Sequence, residues 1–223
     1  TSRQQTFARE PMSVSSMFAG LKFIFNRQII LGAISLDLFA VLFGGAIAMM
    51  PIYAADILNV GEVGLGFLRS AIAVGGAACA IGLTQYPIRR HAGRALLISV
   101  AVFGAGTIVF GLSVNLYLSL GALVIAGGAD AISVFIRQSM VQLGTPDEMR
   151  GRVTSVNSMF VGASNELGEF ESGTVAVWVG VVSSVVIGGI ATIAVAALWA
   201  KLFPRLRSVD ALSAEGIANQ SEA

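Results

Sequence analysis

Five ionisable side chains interrupt otherwise apolar stretches of this sequence: Asp37, Asp130, Arg137, Glu166 and Glu169. At the centre of a hydrocarbon layer each costs at least about 2.5–3.5 kcal/mol and persists only where it faces protein or water. Carboxylates at that depth can bind a cation, or take up and release protons as access to them alternates. The same groups can instead latch helices together, Asp37 with Arg137 above all. Asp130 and Arg137 are seven residues apart, close to two helical turns, so they share a face but stand about 10 Å apart along it. Gly162, Asn165, Glu166 and Glu169 fall on one face of another helix, a pattern suited to a water-lined path, whereas Glu171 points elsewhere. Other chemistries lack parts. With one Cys and one His, zinc sites, haem-type ligation and disulfide frameworks have too few ligands, and no metal or cofactor is expected. His91 lies in a loop, which leaves no Ser/His dyad at depth, and Asp37 and Asp130 differ in depth by about 7 Å. No enzyme is expected.

The elements that position these groups follow from composition. The 223 residues are 55% hydrophobic and 12% charged, with a mean hydropathy of +0.80, against about 25% charge in soluble chains. At roughly 20 residues per spanning helix, the length holds about six spans and no separate soluble domain. Apolar runs lie at 29–53, 64–86, 95–113, 117–143, 153–177 and 178–200. They are too long for barrel strands and do not alternate. The predicted fold is all-α, a polytopic bundle of six transmembrane helices in a lipid bilayer. Counted from the ends of their spans, Asp37 is 8 residues in and Arg137 is 6 in, so they meet at one level. Asp130 and Glu166 are each 13 residues in, near the midplane.

Charge placement orients the bundle. Arg3, Arg9, Lys22, Arg27, Arg89, Arg90, Arg94, Arg150, Arg152, Lys201, Arg205 and Arg207 all fall on one side. The other side carries Asp56, Glu62, Glu169 and Glu171, with Arg69 its only cation. The excess of Lys and Arg predicts that both termini are cytoplasmic. A net charge of +1 gives no pull toward nucleic acid. Residues 1–28 read as a cytoplasmic linker in which Val14, Met17, Phe18, Leu21, Ile24 and Phe25 form the apolar stripe of a short helix, lying on the membrane or extending the first span. Pro204 stops the last helix, and 201–223 is expected to be a disordered cytoplasmic tail. Small residues four apart, Ala71, Gly75 and Cys79, then Gly180, Ser184 and Gly188, read as packing ridges. The chain opens on Thr1 without an initiator Met, which suggests a fragment.

Specific stretches add a resemblance. The run Pro146-Asp-Glu-Met-Arg150-Gly151-Arg152 looks like the loop between the tenth and eleventh helices of the major facilitator superfamily. Asn157-Ser-Met-Phe160 and the residues from Gly162 to Gly173 resemble the eleventh helix of its enterobactin-exporter-like branch, found in bacterial inner membranes. Leu36-Asp37-Leu-Phe39 and Met50-Pro-Ile-Tyr53 resemble that branch's seventh helix. The resemblance covers 13–206. It departs at the loop signature Gly-x-x-x-Asp-Arg-x-Gly-Arg, of which only Gly93 and Arg94 survive; Tyr86, Arg90 and His91 replace its first Gly, its Asp and its Arg. Arg89, Arg90 and Arg94 then act mainly as topology determinants.

The resemblance implies the C-terminal half of a twelve-helix transporter, missing its N-terminal six-helix partner and moving by rocking of the two halves. It also implies export of a small amphipathic substrate, a siderophore or drug-like molecule, and the midplane carboxylates add coupling to protons. Asp130 and Glu166 are then the coupling groups, Arg137 tunes them, Asp37 is its partner, and Asn165 and Glu169 line the cavity. The alternative is a self-contained six-span protein acting as a homodimeric channel or membrane subunit.

Overall fold

The structure, a computed structural model, describes residues 14–88 and 90–212. Arg3, Arg9, Arg89 and the tail after Leu212 lie outside the described residues. The chain runs through α1 (Val14–Asn26), α2 (Gln28–Phe43), α3 (Ala46–Ile52) with a π-helical turn at Tyr53–Ile57, and α4 (Gly61–Gln85). It continues through α5 (Ala92–Leu112), α6 (Leu116–Leu143), α7 (Asp147–Val179), α8 (Val181–Leu202) and α9 (Pro204–Ser208), with no strand among the described residues. Five segments are long and apolar enough to cross a membrane: Gln28–Ile57, Gly61–Gln85, Ala92–Leu112, Leu116–Leu143 and Val181–Leu202. The expected span at 153–177 lies within α7, whose 33 residues suffice in length; Asn157, Asn165, Glu166 and Glu169 make it too polar to qualify by composition. It nevertheless runs the height of the bundle. Gly20 of α1 abuts Arg152 near one end of α7, and Gly45 abuts Ser172 near the other. The fold is an all-α, multi-pass membrane bundle.

The first span differs from the expected continuous helix. It breaks at Gly44–Gly45, where a Cβ on Gly44 would come within 2.7 Å of the Phe103 ring and one on Gly45 would collide with Ser172 Oγ. Two adjacent glycines weaken the helix where α5 and α7 crowd it. Pro51 then removes one backbone donor inside α3, and the π turn follows. Tyr53 is fully buried there and donates its hydroxyl to the Gly111 carbonyl at 2.7 Å.

The structure removes one alternative for α1 and corrects the expectation for the start of the tail. Arg27 is extended, with φ −118° and ψ 97°, so α1 is a separate helix and does not extend the first span; its Ile24 packs with Val153 and Val156 of α7. Residues 201–212 of the expected tail are folded onto the bundle, because α9 folds back and Leu206 and Val209 are buried beneath α2, α5 and α8. The boundary between the last two spans falls at Gly180, where φ is +89°, a conformation that L side chains rarely adopt.

Close packing follows small residues. A Cβ on Gly75 would collide with the Val124 carbonyl and one on Gly127 with the Ile72 carbonyl, which sets α4 against α6. Gly104 and Gly189 do the same for α5 and α8, and Gly188 lies under the Phe43 carbonyl. Cys79 belongs to this ridge, its sulfur over Gly128. Ser184 Oγ donates to the Ser172 carbonyl at 2.8 Å, joining α8 to α7.

Candidate functional site

Asp37 sits on α2 between Leu36 and Ala40, which are buried against α5, α6 and α8, and Arg137 follows the fully buried Ile136 on α6. The apolar faces on both sides fix the two helices, so the polar side chains meet in a buried seam. Arg137 Nε lies 3.2 Å from Asp37 Oδ1, and the two side chains are 4% and 9% exposed. The Nε–H is not aligned on that oxygen and makes no hydrogen bond. Charge therefore holds the pair, while the directed bond runs from Arg137 Nη1 to Asn157 Oδ1 on α7 at 3.2 Å. One guanidinium ties three helices together.

Asp130, nearly two turns earlier on α6, is half-buried. Its backbone carbonyl accepts from Ser133 Oγ at 2.8 Å, but its carboxylate has no hydrogen-bond or ion-pair partner among the described residues. Arg137 acts electrostatically on both Asp37 and Asp130, and Asp130 acts on Asp37. Two carboxylates thus lie within electrostatic reach of one guanidinium. In a medium of low dielectric constant one proton or one bound cation would relieve such a surplus of negative charge.

Asn157 was not singled out from the sequence as a site residue. The depth count that matched Asp37 with Arg137 reaches it, since it lies 4 residues into the span at 153–177. Asn165, Glu166 and Glu169 are exposed along one face of α7, and none of them bonds to the Asp37–Arg137 cluster. Glu171 is turned away and half-buried, with Ser172 Oγ 3.5 Å from its carboxylate.

The loop residues divide by role. Pro146 caps α7, Arg150 pairs with Asp147 at 2.7 Å, and Gly151 is exposed. Arg152 Nη1 lies 3.8 Å from Met149 Sδ. Gly93 is buried where a Cβ would collide with the Leu206 carbonyl, and Arg90 and Arg94 are exposed. Among the described residues no three His, Cys, Asp or Glu side chains are grouped to hold a metal ion.

The family model described as Major Facilitator Superfamily matches residues 2–169. The chain belongs to that superfamily. Its members are membrane transporters, and the match covers the first four long segments, α1 and most of α7. Neither the curated proteins nor the solved structures contain a match to the chain. Within this major facilitator fold the buried cluster lies where α2, α6 and α7 converge, and the exposed acids of α7 continue from it toward the opposite end.

Proposed function

We propose that this chain is the C-terminal half of a proton-coupled secondary transporter that exports a small amphipathic molecule, siderophore-like or drug-like, by alternating access. The basic end of the bundle faces the cytoplasm, as the excess of Lys and Arg there requires, and the membrane is a bacterial inner membrane. The observation that carries the reading is the charge imbalance at the buried cluster. Asp37 is committed to Arg137, while the Asp130 carboxylate has no partner among the described residues and is partly accessible. Asp130 is the group that takes up and releases the proton, Asp37 and Arg137 set its electrostatic surroundings, and Asn165, Glu166 and Glu169 line the aqueous side of α7. An N-terminal half with six further spans completes the cavity.

The test uses the full-length transporter in proteoliposomes with an imposed pH gradient and a fluorescent amphipathic dye. Neutral replacement of Asp37, Asp130, Glu166 and Glu169, singly and together, should abolish gradient-driven movement at Asp130 and weaken it at the others. Unchanged movement in every variant would overturn proton coupling through this half. The reading of the chain as a half fails if the gene encodes no further spans upstream of Thr1.

A further inference from the structure

The cations at the basic end come from two stretches far apart in sequence. Arg90 and Arg94 flank the first turn of α5, while Lys201 closes α8 and Arg205 and Arg207 lie on α9. Backbone contacts bring the two stretches together. Gly93 is so close to α9 that an added Cβ would collide with the Leu206 carbonyl and come within 3.2 Å of the Arg207 carbonyl carbon. The Ala92 and Gly93 amides donate to the carbonyls of Asp210 and Val209 at 3.1 and 3.0 Å, and the His91 amide donates to Asp210 Oδ1 at 2.8 Å. Leu206 and Val209 are buried beneath this clasp.

The clasp also uses the local negative charge. Asp210 lies on the His91 amide with the imidazole Nδ1 3.8 Å away. Arg90, Arg94, Lys201 and Arg207 are exposed and Arg205 is half-buried, and none of the five has an ion-pair partner among the described residues. Below them run two exposed apolar stripes. Ile98 and Val102 continue the face of Arg94 along α5, and Ile190 and Leu198 continue the face of Lys201 along α8. Stripes of this kind face acyl chains, which sets the cations at the depth of the headgroups.

We propose that the start of α5, the end of α8 and α9 form a binding site for an anionic phospholipid, with its phosphate held among Arg94, Lys201 and Arg207 and its chains along Ile98 and Leu198. Arg90 and Arg205 add to the local potential. Asp210 is a positioning residue whose carboxylate adds to the backbone bonds that hold α9 onto α5. Each cation near a headgroup layer strengthens binding roughly fivefold. The site does not depend on the transported substrate or on proton coupling.

The experiment counts phosphatidylglycerol molecules retained by the purified protein in native mass spectrometry, with phosphatidylcholine as the uncharged competitor. Phosphatidylglycerol should be retained preferentially. Lys201→Gln should weaken retention about fivefold and the triple variant Arg94→Gln, Lys201→Gln, Arg207→Gln by well over tenfold, with Arg150→Gln unchanged. Asp210→Ala decides between an assembled site and diffuse attraction. It makes the region more positive by one charge, so diffuse attraction strengthens retention, whereas an assembled site loses part of it as the His91 contact to Asp210 is lost. Soluble glycerol phosphate should not displace the lipid; displacement would make this a phosphate site and overturn the proposal. Retention in Asp210→Ala equal to or above that of the parent, or no preference over phosphatidylcholine, would overturn it as well.

Discussion

Arg137 faces Asp37 across two helices at 3.2 Å and reaches Asn157 on a third at the same distance, with almost none of its side chain exposed. Breaking a buried pair from one side leaves an uncompensated charge, which costs about 3–5 kcal/mol, while replacing both partners with apolar residues is often neutral. Arg137→Leu alone should therefore lower stability by about that amount and Asp37→Leu by less, because Asp130 still acts on the guanidinium, and the double variant should recover most of the Arg137→Leu loss. Thermal unfolding of the purified protein in detergent checks this. Additive losses in the double variant would mean that the two side chains do not act as a pair.

Asn157→Leu should destabilise by about 1.5–3 kcal/mol, the range for a hydrogen bond to a charged group. The loss should largely disappear when Arg137 is already Leu, because the bond at 3.2 Å has then lost its donor. A double-mutant cycle on unfolding free energies measures that coupling. An undiminished effect of Asn157→Leu in the Arg137→Leu background would assign Asn157 to packing alone.

Much of this architecture was legible in the sequence. The apolar runs located the helices, and counting 8 and 6 residues in from the span ends put Asp37 and Arg137 at one level. Depth is a linear quantity, so a linear sequence carries it. The break at Gly44–Gly45 was not legible, because its cause is the crowding of Phe103 and Ser172 from other helices. The role of Asn157 was not legible, because an amide does not stand out as a charge does. The tail was not legible for a related reason: residues 208–223 look polar and small, and only the docking of Leu206 and Val209 over Gly93 places the residues up to 212.

The α4–α6 contact depends on the absence of side-chain atoms. Gly75→Ala places a Cβ against the Val124 carbonyl and should cost about 1–3 kcal/mol as the backbones are forced apart. Gly66→Ala, on the same helix with no neighbour within 4 Å, should be neutral or slightly stabilising. The difference between their melting temperatures tests the ridge; equal values would contradict it.

The turn between α7 and α8 rests on Gly180 at φ +89° and ψ 156°. No neighbour lies within 4 Å of an added Cβ there, so Gly180→Ala tests backbone strain without a clash. A destabilisation of about 1–3 kcal/mol is expected from the residue's conformation alone. A melting temperature equal to that of the parent would show that the turn can relax to a negative φ.

Proton coupling through Asp130 is the central claim, and a comparison of two transport modes in one preparation tests it most directly. Exchange of labelled for unlabelled substrate across proteoliposomes needs no net proton movement, whereas accumulation driven by a pH gradient does. With Asp130→Asn in the full-length transporter, the account predicts that exchange continues and gradient-driven accumulation is lost. Accumulation that persists at the parent rate in Asp130→Asn would contradict it.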